Sequence, residues 1–149
     1  MAQTPMPKMI FVNLPVTDLD RSIAFYESIG AARDPRFCDD SAAMLRFSDT
    51  IHAMLLTHAR FSSFTERTII DAHKSAQALL ALSVENRAGV DAVIAQATQS
   101  GGTADPNPVQ DHGFMYSRSF ADPDGHIWEM VWMDMEAAMA GEPATEAAA

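Results

Sequence analysis

The 149-residue sequence predicts an α+β fold built from two βαβββ modules. Three observations carry this expectation. A strand-then-helix pattern near the start recurs, with matching punctuation, after residue 75. Three short strand-like pieces follow each copy. The last two pieces join around "DPDG", residues 122–125, where proline presets φ and glycine and aspartate accept tight bends.

The first strand is "KMIFVNLPV", ending near Pro15 with Val16 as its last apolar residue. A helix start follows in "TDLD", with Asp18 as the cap or Thr17 and Asp20 as a capping box. Leu19, Ile23 and Tyr26 then form one helical stripe, which Gly30 closes. Strand-like pieces come next at Ala32 to Phe37, Ala43 to Phe47 and Ile51 to Thr57, separated by "DDS" and "SDT". Residues 58–75 keep neither period and read as a connection with room for a short helix. The pattern restarts in "AQALLALSVEN", and Val90, Val93, Ile94 and Ala97 form a second stripe ending at "SGG". "GGTADPNPVQDHG" holds a short strand and a proline-punctuated loop, and "FMYSRSFAD" and "HIWEMVWMD" make the hairpin. A repeat of element order, even without sequence identity, decides the fold. The expected organisation is an extension at 1–8 and one domain at 9–134. Within that domain, module one is 9–57, the connection 58–75 and module two 76–134. A disordered tail is expected at 135–149, where Gly141 and Pro143 stop any short helix.

Composition bounds the function. Ten Lys plus Arg against twenty Asp plus Glu give a formal charge of −10, which disfavours nucleic acid and anionic membranes as partners. Cys38 is the sole cysteine, so neither an intrachain disulfide nor a cysteine zinc cluster can form. The start lacks a signal-peptide pattern and no apolar run reaches membrane-spanning length, so a cytoplasmic protein is expected. Met44, Met54, Met115, Met130 and Met133 read as core filler, with adaptable pocket lining as the alternative.

One residue stands out against these patterns. In the strand after "DPDG", Ile127, Glu129 and Val131 share one face and Trp128, Met130 and Trp132 the other. Glu129 therefore puts a carboxylate on an apolar face, where burial without a partner is costly. Two hairpin registers are open. Pairing Phe120 with Ile127 sets Arg118 opposite Glu129, and pairing Phe120 with His126 sets Ser117 there. The first would supply a bidentate guanidinium partner.

The stretches "FVNLPVTDLDRSIAFYESIG" and "DPDGHIWEM" resemble the vicinal oxygen chelate superfamily over residues 9–134. That superfamily includes glyoxalase I, extradiol dioxygenases, and bleomycin- and fosfomycin-resistance proteins. "GFMYSRSFADPDGH" is similar to the glyoxalase-related, predicted lactoylglutathione lyase group. The resemblance implies that the two modules form a cupped, partly open barrel-like sheet. It also implies that metal-using members take one ligand from the first and one from the last strand of each module. Carried onto this chain, those positions are Phe11, Met54 or Leu56, Leu79 and Glu129. Only Glu129 can ligate a hard cation, so no metal cofactor is expected. His52, His58, His73, His112 and His126 show no ligand-like spacing that would replace it.

Two functional readings follow. In the first, a small molecule binds in the cup and Glu129 acts as general base of a metal-independent lyase or isomerase. Phe11, Met54, Leu79, Tyr116 and Arg118 would contact the substrate. In the second, the protein is a non-enzymatic binder of the resistance type. A plainer alternative makes Glu129 half of a retained ion pair with Arg118. Members of the superfamily of similar length commonly pair, so a homodimer is expected.

Overall fold

The computed structural model describes residues 4–140. The chain divides into two compact units at the Ser75–Ala76 junction. Each unit is a sheet with its longest helix packed on one of its faces. No helix among the described residues is long and apolar enough to cross a membrane.

Module one contains β1 (Ile10–Val16), α1 (Leu19–Ser28), β2 (Ala32–Asp34), β3 (Ala42–Arg46) and β4 (Ile51–Thr57). A short helix, α2 (His58–Ser62), opens the connection. The sheet order is β1-β4-β3-β2, with β1 parallel to β4 and the other pairs antiparallel. Asp18 caps α1, its carboxylate accepting from the Arg21 N–H at 3.1 Å. Gly30 ends the helix at φ 108°, a left-handed conformation that glycine adopts without Cβ strain. Ile23, Phe25 and Tyr26 of α1 are buried, and so are Leu14, Val16, Ala43, Leu45, Ala53 and Leu55 on one sheet face. Tyr26 meets Phe47 edge-on at 6.3 Å, which identifies that face as the helix-bearing one. The strand expected from Ala32 to Phe37 stops at Asp34. Pro35 has no N–H for the ladder and starts a 3-10 turn over Pro35–Phe37.

Module two contains β5 (Leu80–Ser83), α3 (Arg87–Gln99), β6 (Thr103–Ala104), β7 (Gln110–Asp111), β8 (Met115–Ala121), β9 (Ile127–Met133) and the short α4 (Met135–Met139). The order β5-β9-β8-β6 repeats that of module one, with β7 also paired to β8. Neither sheet closes on itself. The single short strand expected before the hairpin is thus two, because Pro106 and Pro108 interrupt the ladder between them. Asn86 caps α3, accepting from the Gly89 N–H at 2.7 Å. Val90, Ile94 and Ala97 of α3 are buried, as are Phe120, Trp128 and Met130 on the facing strands. Residues 135–139 of the expected tail form α4, capped by Asp134, and residues 141–149 lie outside the described residues.

Candidate functional site

The turn "DPDG" sets the geometry around Glu129. Asp122 accepts the N–H groups of Asp124 and His126 on one carboxylate oxygen, each at 2.9 Å. Gly125 takes φ 94°, where a side chain would be strained. The result is a loop over 122–126 closed by the Ala121–Ile127 pair. Both registers expected from sequence shorten that loop, and neither forms. Phe120 pairs with Trp128, so Ser119 stands opposite Glu129 and Arg118 opposite Met130.

The expected Arg118–Glu129 ion pair is therefore absent, because neighbouring residues on β8 point to opposite faces. Arg118 lies on the helix-bearing face. Its Nε and Nη2 bind both carboxylate oxygens of Asp105 at 3.0 and 2.7 Å, and its Nη1 binds Asp91 of α3 at 3.0 Å. Tyr116 shares that face and donates its hydroxyl to Asp91 at 2.6 Å. The Arg87 guanidinium sits 4.4 Å from the Tyr116 ring centre and also pairs with Asp111. These contacts set the protonation states. The Tyr116 hydroxyl, then Arg118, hold the Asp91 carboxyl below its usual range. Arg87, with the Gly113 N–H, holds Asp111 down at about 2. Donation to Asp91 pushes the Tyr116 hydroxyl up. This network joins α3, β7 and β8 and the loop between β6 and β7.

On the helix-free face of module two, Ala81 and Ser83 of β5, Glu129 and Val131 of β9, and Ser117 and Ser119 of β8 lie together by register. Leu79 directly precedes β5 in phase with Ala81 and is 51% exposed. Glu129 is half-buried, and no hydrogen bond or ion pair joins it to another described residue. Ser119 is 1% exposed, and its hydroxyl accepts the Asn107 N–H at 3.0 Å.

On the helix-free face of module one, Phe11, Asn13, His52, Met54, Met44 and Arg46 fall together. Phe11 is 44% exposed and stacks on His52, with ring centres 4.7 Å apart and planes at 17°. His52 is buried beneath it, and its Nδ1 lies 3.4 Å from the Ile10 carbonyl. The strand expected at Ile51 to Thr57 contains His52, but the sequence did not single it out for this face. Two-residue alternation with Met54 was the signal that would have located it. Elsewhere in this unit, an open depression of about 630 Å³ follows the connection past His58, Ser62, Glu66 and Arg67. His58, Glu66 and Arg67 are solvent-exposed there.

Register also relates the positions of one module to those of the other, including the metal-ligand positions that the resemblance implies. Asn13 precedes its helix cap Asp18 by the same interval as Ala81 precedes Asn86. Asn13 pairs with Met54 and Ala81 with Glu129, so Met54 is the module-one counterpart of Glu129. Phe11, Met54 and Leu79 offer two hydrocarbons and a thioether in place of nitrogen or carboxylate donors. That donor set does not fit a divalent metal of the usual kind. Among the described residues, no group of three or more His, Cys, Asp or Glu side chains is placed to hold one.

The family model for the Glyoxalase/Bleomycin resistance protein/Dioxygenase superfamily matches residues 8–130. No curated protein matches the chain significantly. Solved structures share the fold. A hypothetical protein from S. aureus is 22% identical with a TM-score of 0.70, the alignment covering 86% of this chain and 95% of that one. A glyoxalase-related enzyme from Fulvimarina pelagi is 20% identical with a TM-score of 0.69, over 85% and 88%. A fosfomycin resistance protein from Mesorhizobium loti is 15% identical with a TM-score of 0.61, over 93% and 99%. Identities this low show a common fold and leave the reaction open.

Proposed function

Because the chain belongs to the Glyoxalase/Bleomycin resistance protein/Dioxygenase superfamily, we propose that it binds a small carbonyl-bearing molecule against the helix-free face of β5, β8 and β9. Glu129 acts there as the general base of a lyase or isomerase that does not use the superfamily's usual metal set. One observation carries this reading: among the described residues, Glu129 has no hydrogen-bond or ion-pair partner on a face it shares with Ala81 and Val131. A carboxylate free of internal ion pairs is available to take a proton from a bound carbon acid. Leu79 and Ala81 supply apolar contact, which excludes water and strengthens the electrostatic interaction between base and substrate.

A second reading makes the protein a non-enzymatic binder. The exposed Phe11 ring stacked on buried His52 favours it, since such a platform holds a flat or cationic ligand without any proton transfer.

Glu129→Gln keeps the shape and removes the base, so it separates the two. Native mass spectrometry first identifies a small molecule retained through purification. Methylglyoxal with glutathione is then offered with and without Ni²⁺ or Zn²⁺. The enzyme reading expects turnover independent of added metal, a loss of about 10²-fold or more in Glu129→Gln, and undiminished binding of a neutral ligand. Turnover by Glu129→Gln at the wild-type rate would eliminate Glu129 as the base.

A further inference from the structure

The segment Asp105–Val109 crosses from β6 to β7 along the edge of β8, and β8 holds it from both faces. On the helix-bearing side, the Arg118 fork takes both oxygens of Asp105. On the helix-free side, the adjacent Ser119 accepts the Asn107 N–H. The sequence of the segment, Asp-Pro-Asn-Pro, makes this second grip specific. Pro106 and Pro108 have no N–H, so between Asp105 and Val109 the Asn107 amide is the sole backbone donor. That donor goes to the hydroxyl standing directly opposite Glu129. Asp105 itself sits at φ 53°, a left-handed conformation that a non-glycine residue keeps only when its surroundings hold it there. The Asp105 N–H to Ser119 carbonyl bond, at 2.8 Å, anchors the start of the segment.

We propose that residues 105–109 form a fixed wall beside Glu129, and that Arg118, from the opposite face of the sheet, is the positioning residue that keeps this wall in place. The proposal rests on the reading of the Glu129 face as the ligand site. Arg118 directs its hydrogen bonds to Asp105 and Asp91 and not to that face. It acts through Asp105, which fixes where the two prolines send the chain, and so where Asn107 meets Ser119. With the wall in place Ser119 is withdrawn from solvent, and the face offers a ligand the Glu129 carboxylate rather than a hydrated serine beside it. Charge on one face of the sheet thus determines the shape of the other.

Amide hydrogen exchange on the full-length chain, read by NMR, tests this without any ligand. Arg118→Gln and Asp105→Asn are expected to speed exchange at Asn107 by about tenfold or more, while β9 amides keep their protection. Asparagine tolerates the left-handed conformation, so Asp105→Asn removes the charge without adding strain. Asp91→Asn breaks the other Arg118 contact, to α3, and is expected to change Asn107 exchange by less than about twofold. The carbon-13 signal of the Glu129 carboxyl provides the second readout. It is expected to move in Arg118→Gln and Asp105→Asn and to stay put in Asp91→Asn. Wild-type protection at Asn107 in both clamp variants would overturn the proposal, and so would equal loosening in Asp91→Asn. An unmoved Glu129 signal when Asn107 opens would overturn it as well. Failure of the Glu129 reading looks different: Glu129→Gln would leave turnover unchanged while the exchange results stand.

Discussion

The two modules share one strand order and one helix placement, yet their helix-free faces carry different chemistry. In module one, Met44 pairs with Met54 beside Asn13. In module two, Ser119 and Glu129 occupy the matching pair beside Ala81. The helix-bearing faces are alike in kind. Leu45 and Leu55 lie under α1, and Phe120, Trp128 and Met130 lie under α3. The fold is therefore maintained by one face of each sheet. The other face is free to change from apolar to ionisable without disturbing strand order, because alternation decouples the two faces. The second difference lies in how the helices are tied down. α3 is tied to β8 by close hydrogen bonds of Asp91 to Tyr116 and Arg118 at 2.6 and 3.0 Å, whereas the ion pair from α1 to its sheet, Glu27 to Arg33 of β2, is longer, at 4.0 Å.

The sharpest way to break this comparison is to truncate the helix-bearing faces. Trp128→Ala removes a buried side chain from under α3 and is expected to cost about 3–5 kcal/mol, because the cavity relaxes only partly. Leu55→Ala in module one is expected to cost about 2–5 kcal/mol for the same reason. Urea denaturation measures both. Losses under 1 kcal/mol would mean that the helix-bearing faces do not carry the fold.

A smaller effect separates the two ways of fixing a helix. Arg118→Met severs bonds to Asp105 and Asp91 and is expected to destabilise by about 1–3 kcal/mol, with the change concentrated in module two. Acid should act on the same contacts. Asp91 and Asp111 are held below the ordinary carboxylate range in the folded chain, so their stabilising contribution is complete above about pH 4. It is lost as pH falls through the folded values, toward about 2 for Asp111. Protection factors in β7 are therefore expected to fall between about pH 4 and pH 2. Asp34 also titrates at about 2 because of Arg36, but that pair spans two residues of one segment and fastens no second element. Protection in β3 and β4 should not follow it. Equal acid loosening of both sheets would remove the distinction.

The smallest expected effect is at Met54→Glu, which copies Glu129 into module one. Met54 is half-buried on the helix-free face, and the change is expected to cost less than about 1 kcal/mol. Leu55→Glu, one residue along on the buried face, is expected to prevent folding of the module. A large cost at Met54 would show that the helix-free face is as constrained as the other.

Much of this was legible in the residues themselves. Asp18 as a cap, Gly30 as a stop, and the split of Trp128 and Met130 from Ile127, Glu129 and Val131 all follow from local periodicity and turn chemistry. These are short-range rules, and the βαβββ order of elements they imply for module one is the order observed. The absence of suitable donors at Phe11, Met54 and Leu79 was equally readable, because a ligand's chemistry belongs to its side chain. Register was not. A hairpin's pairing depends on how many residues its turn absorbs, and that was decided by one Asp122 oxygen holding two amides across the loop. One residue of slip moved Arg118 from the Glu129 face to the opposite face. There it meets Asp91 and Asp105, which lie 27 and 13 residues away along the chain. No local pattern encodes partners at such separations. Sequence alone thus determined which residues carry charge and which face each would share with its neighbours two along. Only the tertiary structure decided which carboxylates the guanidinium would meet, and that Glu129 would not be one of them.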